Sequence, residues 1–415
     1  MGRTVEYLSE TWFERIGFAL REAKVRGMGV WIYDEDNWPS GYAAERVLRE
    51  NENFCAKHLK RYPLSGGLPP RAKEISRDAQ YRYVLCDTYW HPAYSESYYT
   101  DLLNPAATDA FILCTHAEYY AHFGEYFAAG VVKGFFVDEP GFYNNFNYYE
   151  YRGDADSVVF TDALPEYFAA VKRYDLLPCL SGLWEQGKEH LSLKRDFYDV
   201  VTRMYTENFF GRIADFCHKA GVLLIGHEHS EEFIPYHLST QGDLMRAMAA
   251  QDYAGIDRID LTEGKATEKY ASSVAHMYGK PRALSETFAS SGLDLDLRRI
   301  KRWTNYQYVR GINMLVPHAF FSSVSGDRKW ECPPSLFLSE HVLAVFRDIC
   351  RLCAAAFLAV DARQLLRVCR PVLSHHNGHG KIGIVRFFGC IAVRQNGDRD
   401  RGNADAVADR LRFYQ

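Results

Sequence analysis

Three short apolar runs in this chain end on an acid: Gly134-Phe-Phe-Val-Asp138-Glu139, Val222-Leu-Leu-Ile-Gly-His227-Glu228 and Arg282-Ala-Leu-Ser-Glu286. An unbroken apolar run of this length, bounded by turn residues, suits a strand buried on both faces of a parallel sheet. Helical spacing comes before strand candidates elsewhere. From Thr11 to Val25 the apolar positions are Trp12, Ile16, Ala19, Leu20 and Ala23, and Gly27-Met-Gly29 breaks the pattern before Val30-Trp-Ile-Tyr33. Val200, Met204, Ile213, Phe216 and Cys217 share one helical face over residues 200–220, and Gly221 is placed to stop that helix. Residues 299–310 repeat the arrangement, ending at Gly311 before Ile312-Asn-Met-Leu-Val-Pro-His318.

Strands are expected at 29–34, 83–87, 110–114, 134–139, 222–228, 255–260, 282–287 and 312–318. Eight strands alternating with helices predict a TIM-type (β/α)8 barrel with loop insertions, spanning residues 1–370. The stretch 81–122, which holds the second and third candidates, could equally be an insertion. Beyond residue 370 the pattern turns polar and rich in Arg and Asp, so 371–415 is expected to be a short atypical tail or the truncated remnant of a following domain.

At 415 residues and 47% hydrophobic, the chain can bury one very large core or two ordinary ones. A formal net charge of -4 offers no broad basic field, which argues against nucleic-acid or anionic-membrane partners. No uncharged apolar stretch of about 18 residues is present and no export signal is visible, so the chain as it stands is expected in the cytoplasm. The ten cysteines lack paired spacing and read as small buried hydrophobes. Cys350-Arg-Leu-Cys353 has no second pair or histidine at zinc spacing and reads as helix packing. Aromatic residues make up 15% of the chain and include 28 Tyr; ring faces lining a cleft would suit a sugar.

Hydrolysis of a glycosidic bond needs one carboxylic acid to protonate the leaving oxygen and one carboxylate to activate water or act as nucleophile. Neighbouring strand residues point to opposite sides, so Asp138 and Glu139 are not expected to face one cavity together. Alternation instead selects Glu139, Glu228 and Glu286 as the convergent acids, with His227 and His229 on the face opposite Glu228. That histidine pair could serve a metal, bind substrate hydroxyls or sit satisfied in the core. The first strand ends in Asp34-Glu35-Asp36-Asn37-Trp38, whose acids could bind sugar hydroxyls or a hard cation, or cap a helix, while Trp38 offers a stacking face. The loop Tyr143–Tyr151 is substrate cover or plain surface; Trp184 and His318 are candidates for the rim. His375, His376 and His379 could chelate a metal, but without an accompanying acid or cysteine they read as a solvated loop. The chain has no G-x-S-x-G elbow, phosphate-binding P-loop or H-E-x-x-H motif.

Taken together, Trp31-Ile-Tyr33-Asp34-Glu35 with Trp38-Pro39-Ser40-Gly41, Val137-Asp138-Glu139-Pro140, Gly226-His227-Glu228, and Ser285-Glu286 with Gly311-Ile-Asn313 and His318 resemble the catalytic barrel of the family-106 α-L-rhamnosidases over roughly residues 10–370. The resemblance implies inverting hydrolysis of terminal α-L-rhamnosides on glycans or plant glycosides, with a calcium ion near the sugar. By position, Glu139 resembles the general acid and Glu228 or Glu286 the general base. Two other readings stay open. One is a retaining β-glycosidase in which Glu139 is the acid and Glu286 the nucleophile. The other is a carbohydrate-binding barrel without catalysis.

Overall fold

The computed structural model describes residues 5–36, 38–90, 97–144, 156–259, 265–319 and 332. The first helix, Glu10–Val25, begins where Ser9 accepts a hydrogen bond from the Trp12 amide at 3.3 Å. Phe13, Gly17, Leu20 and Ala23 recur at helical spacing and are buried; Phe13 meets Tyr119 and Phe123 of the helix His116–Ala128 edge to face. The helices expected over 200–220 and 299–310 are present in Leu191–Lys219 and Leu297–Val309. The former is α-helical over Leu191–Tyr205 and Arg212–Lys219, with a π-helical segment at Thr206–Gly211.

In chain order the strands are β1 (Val30–Tyr33), β2 (Lys57–Pro63), β3 (Lys73–Arg77), β4 (Tyr81–Asp87), β5 (Tyr89–Trp90), β6 (Ser97–Tyr98), β7 (Val132–Asp138), β8 (Ser157–Phe160), β9 (Leu223–His227), β10 (Ala254–Arg258), β11 (Ala283–Thr287) and β12 (Met314–Pro317). β1, β7 and β9 pair in parallel, as do β10, β11 and β12. A parallel bridge between Ile225 and Tyr253 joins the two sets. Beside it the Asp252 amide donates to the Leu224 carbonyl at 2.8 Å, and the Asp252 carboxylate accepts the Leu224 amide at 2.7 Å. Six parallel strands thus follow one another in chain order. They stand close enough that a methyl on Gly226 would overlap the Val137 carbonyl oxygen, and one on Gly255 would overlap the Gly226 carbonyl.

Two of the expected barrel strands take other forms. Residues 83–87 lie in β4, inside an antiparallel sheet of order β3-β4-β2-β8. This sheet is inserted after β1, and the chain returns to it after β7 to lay β8 on its edge. Residues 110–114 are helical, the end of Pro105–Cys114. The Asn104 side chain accepts the Ala106 amide at 3.0 Å, Pro105 occupies the first turn, and Ala107, Thr108, Phe111 and Ile112 bury one face. The start signal upstream outweighs the apolar run. Among the described residues the parallel strands form an open array, so the architecture is mixed α/β with a parallel array and an antiparallel sheet. The tail 371–415, the Cys350–Cys353 pair, the three histidines at 375, 376 and 379, and residues 145–151 of the aromatic loop lie outside the described residues.

The main core joins the helices Glu10–Val25, Pro105–Cys114, His116–Ala128 and Leu191–Tyr205 to both sheets. A second cluster, built on Leu244, Met248, Ala254, Ile256, Val274 and Ile312, packs β10 and β11 against the helix Thr267–Met277. No helix among the described residues is long and apolar enough to cross a membrane.

Candidate active site

The parallel strands end in an unusual backbone. Immediately or shortly after β7, β9 and β11 stand Glu139, Ser230 and Phe288, with φ of 46°, 59° and 80°. Left-handed backbone costs a residue with a side chain about 1–3 kcal/mol, and such positions cluster where function re-aims a side chain. At Glu139 the turn breaks the strand alternation. Asp138 Oδ1 lies 3.4 Å from His227 Nε2, and Glu139 nonetheless reaches the same ring. The polar atoms of Asp138, His227 and Glu286 lie within 4.8 Å of one another, as do those of Glu139, His227 and Asp257. His227, fully buried at the end of β9, is shared by both groups, and its Nε2 lies 3.0 Å from Glu286 Oε2. The expectation that Asp138 and Glu139 would face apart is therefore not met.

This clustering splits the charges. Burial pushes the Glu139 carboxyl well above its ordinary range, and the neighbouring Asp257 and Asp138 charges push it further. Asp257 is raised in the same way, burial first, and Asp138 is pushed up to about 6 by burial, against the pull of His227. Glu286 behaves oppositely. Burial would raise it, but the hydrogen bond and charge of His227 hold it below the ordinary carboxylate range. Burial alone would lower His227; the bond to Glu286 and the charges of Asp257, Glu286 and Asp138 raise it well above, leaving an imidazolium among carboxylates.

Asp138 is fixed from the β1 side. Tyr33 donates its hydroxyl to Asp138 Oδ2 at 2.7 Å, and the Asp138 amide donates to Ser40 Oγ at 2.8 Å. Ser40 Oγ in turn donates to Asp34 Oδ1 at 2.6 Å, and Asp34 Oδ2 is 3.4 Å from Nε2 of the fully buried His116. Asp34 thus supports the strand end from below. Glu35 accepts the amides of Tyr42 at 2.7 Å and Ala43 at 2.8 Å, holding a left-handed run at Ala43, Ala44 and Glu45. Glu231 similarly ties two strand ends, accepting the Glu228 and Asp257 amides at 3.1 Å each.

The remaining sequence-selected residues fall into separate places. Glu228 is fully buried and turned away from both groups: it accepts from Tyr205 and Gln251, each at 3.1 Å, and burial raises its carboxyl to about 8. His229 lies in an aromatic patch with Trp38 (centroids 6.1 Å apart) and Tyr143 (5.3 Å). Its Nδ1 meets Ser230 Oγ at 2.7 Å, and burial, followed by the His227 charge, lowers the ring to about 3, so it stays neutral. His318, just past β12, lowers the Glu286 carboxyl through its charge and so borders the cluster. Trp184 packs elsewhere, on Tyr83 and Arg61 of the antiparallel sheet. Sequence reasoning passed over Asp257, Glu231, Tyr33 and Ser40 as site residues. Asp257 carried a readable signal, since Asp257-Arg258 places two charges side by side in an otherwise buried strand.

Calcium takes about six to eight oxygen ligands. Each convergent triplet here centres on a ring nitrogen already bonded to a carboxylate, and Asp34 and Glu35 are occupied by Ser40 and by backbone amides. Among the described residues, neither triplet as arranged fits the calcium ion implied by the resemblance.

Known proteins resemble parts of this chain. A family model described as alpha-L-rhamnosidase matches residues 152–332, which include His227, Asp257, Glu286 and His318 and begin after Asp138 and Glu139. A curated protein of Formosa agariphila, provisionally named a beta-glucuronidase, is 24% identical over 179 residues, covering 42% of this chain and 14% of that protein. A solved rhamnosidase structure from Novosphingobium sp. PP1Y aligns with TM-score 0.43 and 19% identity, covering 59% of this chain and 24% of that one. The chain therefore spans well under half the length of these relatives. The resemblance read from the strand-end motifs is matched over residues 152–332, which hold Gly226-His227-Glu228, Ser285-Glu286, Gly311-Ile-Asn313 and His318.

Proposed function

We propose, from the rhamnosidase-like character of residues 152–332, that this chain hydrolyses a terminal α-L-rhamnoside or a related neutral sugar, with its parallel strands forming part of a (β/α)8 barrel. The observation that carries the reading is the convergence of two oppositely tuned acids on His227: burial drives the Glu139 carboxyl up, while the His227 bond holds the Glu286 carboxyl down. Carboxyls whose surroundings drive their proton affinities apart are matched to the acid and base roles. Glu139 protonates the glycosidic oxygen as the bond to the anomeric carbon breaks. Glu286, oriented by the His227 ring, takes a proton from the attacking water. Burial first, and then the Asp257 charge, favour the protonated form of Glu139. Trp38 and Tyr143, whose centroids are 6.0 Å apart, supply apolar ring surface beside the acids for a deoxy-sugar.

The surplus of carboxylates favours a neutral sugar over a uronate, whose own carboxylate would face Asp138, Glu139, Asp257 and Glu286. A panel of nitrophenyl glycosides tests this reading. Turnover is expected on the α-L-rhamnoside and not on the β-D-glucuronide, and Glu139→Gln should lower kcat by about 10²–10⁴-fold. Full activity in that variant would remove the acid assignment. Binding of rhamnose without turnover of any member of the panel would replace hydrolysis by sugar binding. NMR of the first-formed anomer separates an attacking water from Glu286 acting as nucleophile.

A further inference from the structure

The strand ends of β10 and β11 are two-sided. Asp257 and Glu286 are register partners and face the acid cluster. One residue on, Arg258 and Thr287 are also register partners, and alternation sends them to the opposite side, toward the helices Thr267–Met277 and Leu297–Val309. What they meet there is polar. Arg258 Nε lies 2.9 Å from Glu268 Oε1, with both side chains essentially unexposed, and its guanidinium sits 5.0 Å from the centroid of the Trp303 ring. Thr287 Oγ1 accepts a hydrogen bond from the buried Gln307 at 2.9 Å. Arg258 is the largest fully buried side chain among the described residues.

An ion pair sealed from water is a poor way to gain stability, because desolvating both charges offsets their attraction; well-packed apolar residues of similar volume serve as well or better. Direction is what an ion pair adds. A guanidinium held between a buried carboxylate and a ring face has few alternative geometries. We infer that Arg258 is a positioning residue for the acid cluster: its buried bracket with Glu268 and Trp303 fixes the end of β10 and so the reach of Asp257 toward Glu139 and His227. The inference rests on the glycosidase reading for its kinetic consequence, though not for its geometry.

The test pairs Arg258→Met and Glu268→Gln with a control, Val274→Ala. Val274 is buried in the helix Thr267–Met277 and packs in the apolar cluster beneath β10, away from the acids. Arg258→Met should lower kcat by about tenfold to a hundredfold with KM within about twofold, the scale expected when a reacting group is misplaced by about 1 Å. It should also displace the alkaline limb of the pH profile, because Asp257 no longer faces Glu139 at the same distance. Arg258→Lys, which keeps the charge without the planar guanidinium on the Trp303 ring, should recover only part of the loss. Val274→Ala should lower Tm comparably while leaving kcat and the pH limb in place. If Arg258→Met and Val274→Ala reduce kcat in the same proportion to their Tm loss with unmoved pH profiles, Arg258 is merely structural and the inference fails. Should the wild type turn over no glycoside, the bracket is read instead from the His227 imidazole in histidine-labelled protein by NMR. An altered titration in Arg258→Met supports the positioning role, and an unaltered one overturns it.

Discussion

The parallel array and the antiparallel sheet treat their charged residues in opposite ways. At the ends of β7, β9, β10 and β11, four largely buried carboxyl groups converge on one imidazole, an arrangement that is costly wherever neighbouring acids are ionised together. Along β2–β4 and β8 the charges are spread, each set against an opposite charge or a ring. Lys57 pairs with Asp162, Arg71 with Asp87 at 2.9 Å, and Arg61 lies 4.9 Å over the ring of Tyr81. Seven register pairs from Lys57↔Asp87 to Pro63↔Tyr81 keep β2 and β4 regular, whereas β7, β9 and β11 are each followed by a left-handed residue. Regularity with opposite charges paired is how a scaffold is built. Strained ends with like charges out of solvent are retained for a task.

The contrast can be broken most decisively at Glu286. Glu286→Gln should reduce kcat/KM by about 10²–10⁴-fold. The wild-type profile should fall on the alkaline side as the raised Glu139 carboxyl loses its proton, and on the acid side only below the ordinary carboxylate range, where Glu286 gains one. A profile whose acid limb sits near neutrality would reverse the two roles.

The scaffold should answer in stability instead. Asp101, buried beside β8 and accepting from Thr161 at 2.6 Å and Leu103 at 3.0 Å, is raised to about 6 by burial. A carboxyl whose folded value lies above its unfolded one favours the folded state at low pH, and that contribution is lost as pH rises through about 6. Unfolding free energies from urea titration should therefore rise as pH falls from about 6 to about 4, by up to about 3 kcal/mol. Asp101→Asn should lose that component of the slope, and identical slopes would sink the claim. Trp184→Ala should cost about 1–3 kcal/mol by calorimetry, through lost packing on Tyr83, and leave kcat within about twofold. A selective loss of turnover would move Trp184 to the sugar site. The smallest effect is expected from a chelator, which should leave activity unchanged because the His227 imidazolium supplies the positive charge. Loss of activity restored by calcium would show that an ion displaces that ring.

Seven of the eight expected strands form, six of them in the parallel array; those six were legible because buried parallel strands are apolar on both faces and stop at turn residues, as in β7 and β9. Residues 110–114 misled because apolar runs do not distinguish buried helix from strand, and Asn104-Pro105 five residues upstream decides it. At the site, Glu139 and Glu286 could be found from their place at strand ends. That Asp138 joins them could not, since it depends on φ of 46° at Glu139, a residue that does not advertise left-handed backbone as glycine or asparagine would. Glu228 shows the converse. Strict alternation grouped it with the other acids, but Tyr205 and Gln251, 23 residues to either side, claim its carboxylate. Long-range partners of this kind leave no local trace.

The π-helical segment at Thr206–Gly211 has a consequence for how this chain tolerates insertion and deletion. Such a segment is one residue more than a regular helix would hold over the same rise, which turns everything downstream by about 100°. Tyr205 lies just before it and points at Glu228, while Ile213 and Cys217 lie just after it in the core. Excising a single residue there would regularise the helix and still unseat one of these two faces, so the length of this helix should vary between homologues far less than its composition.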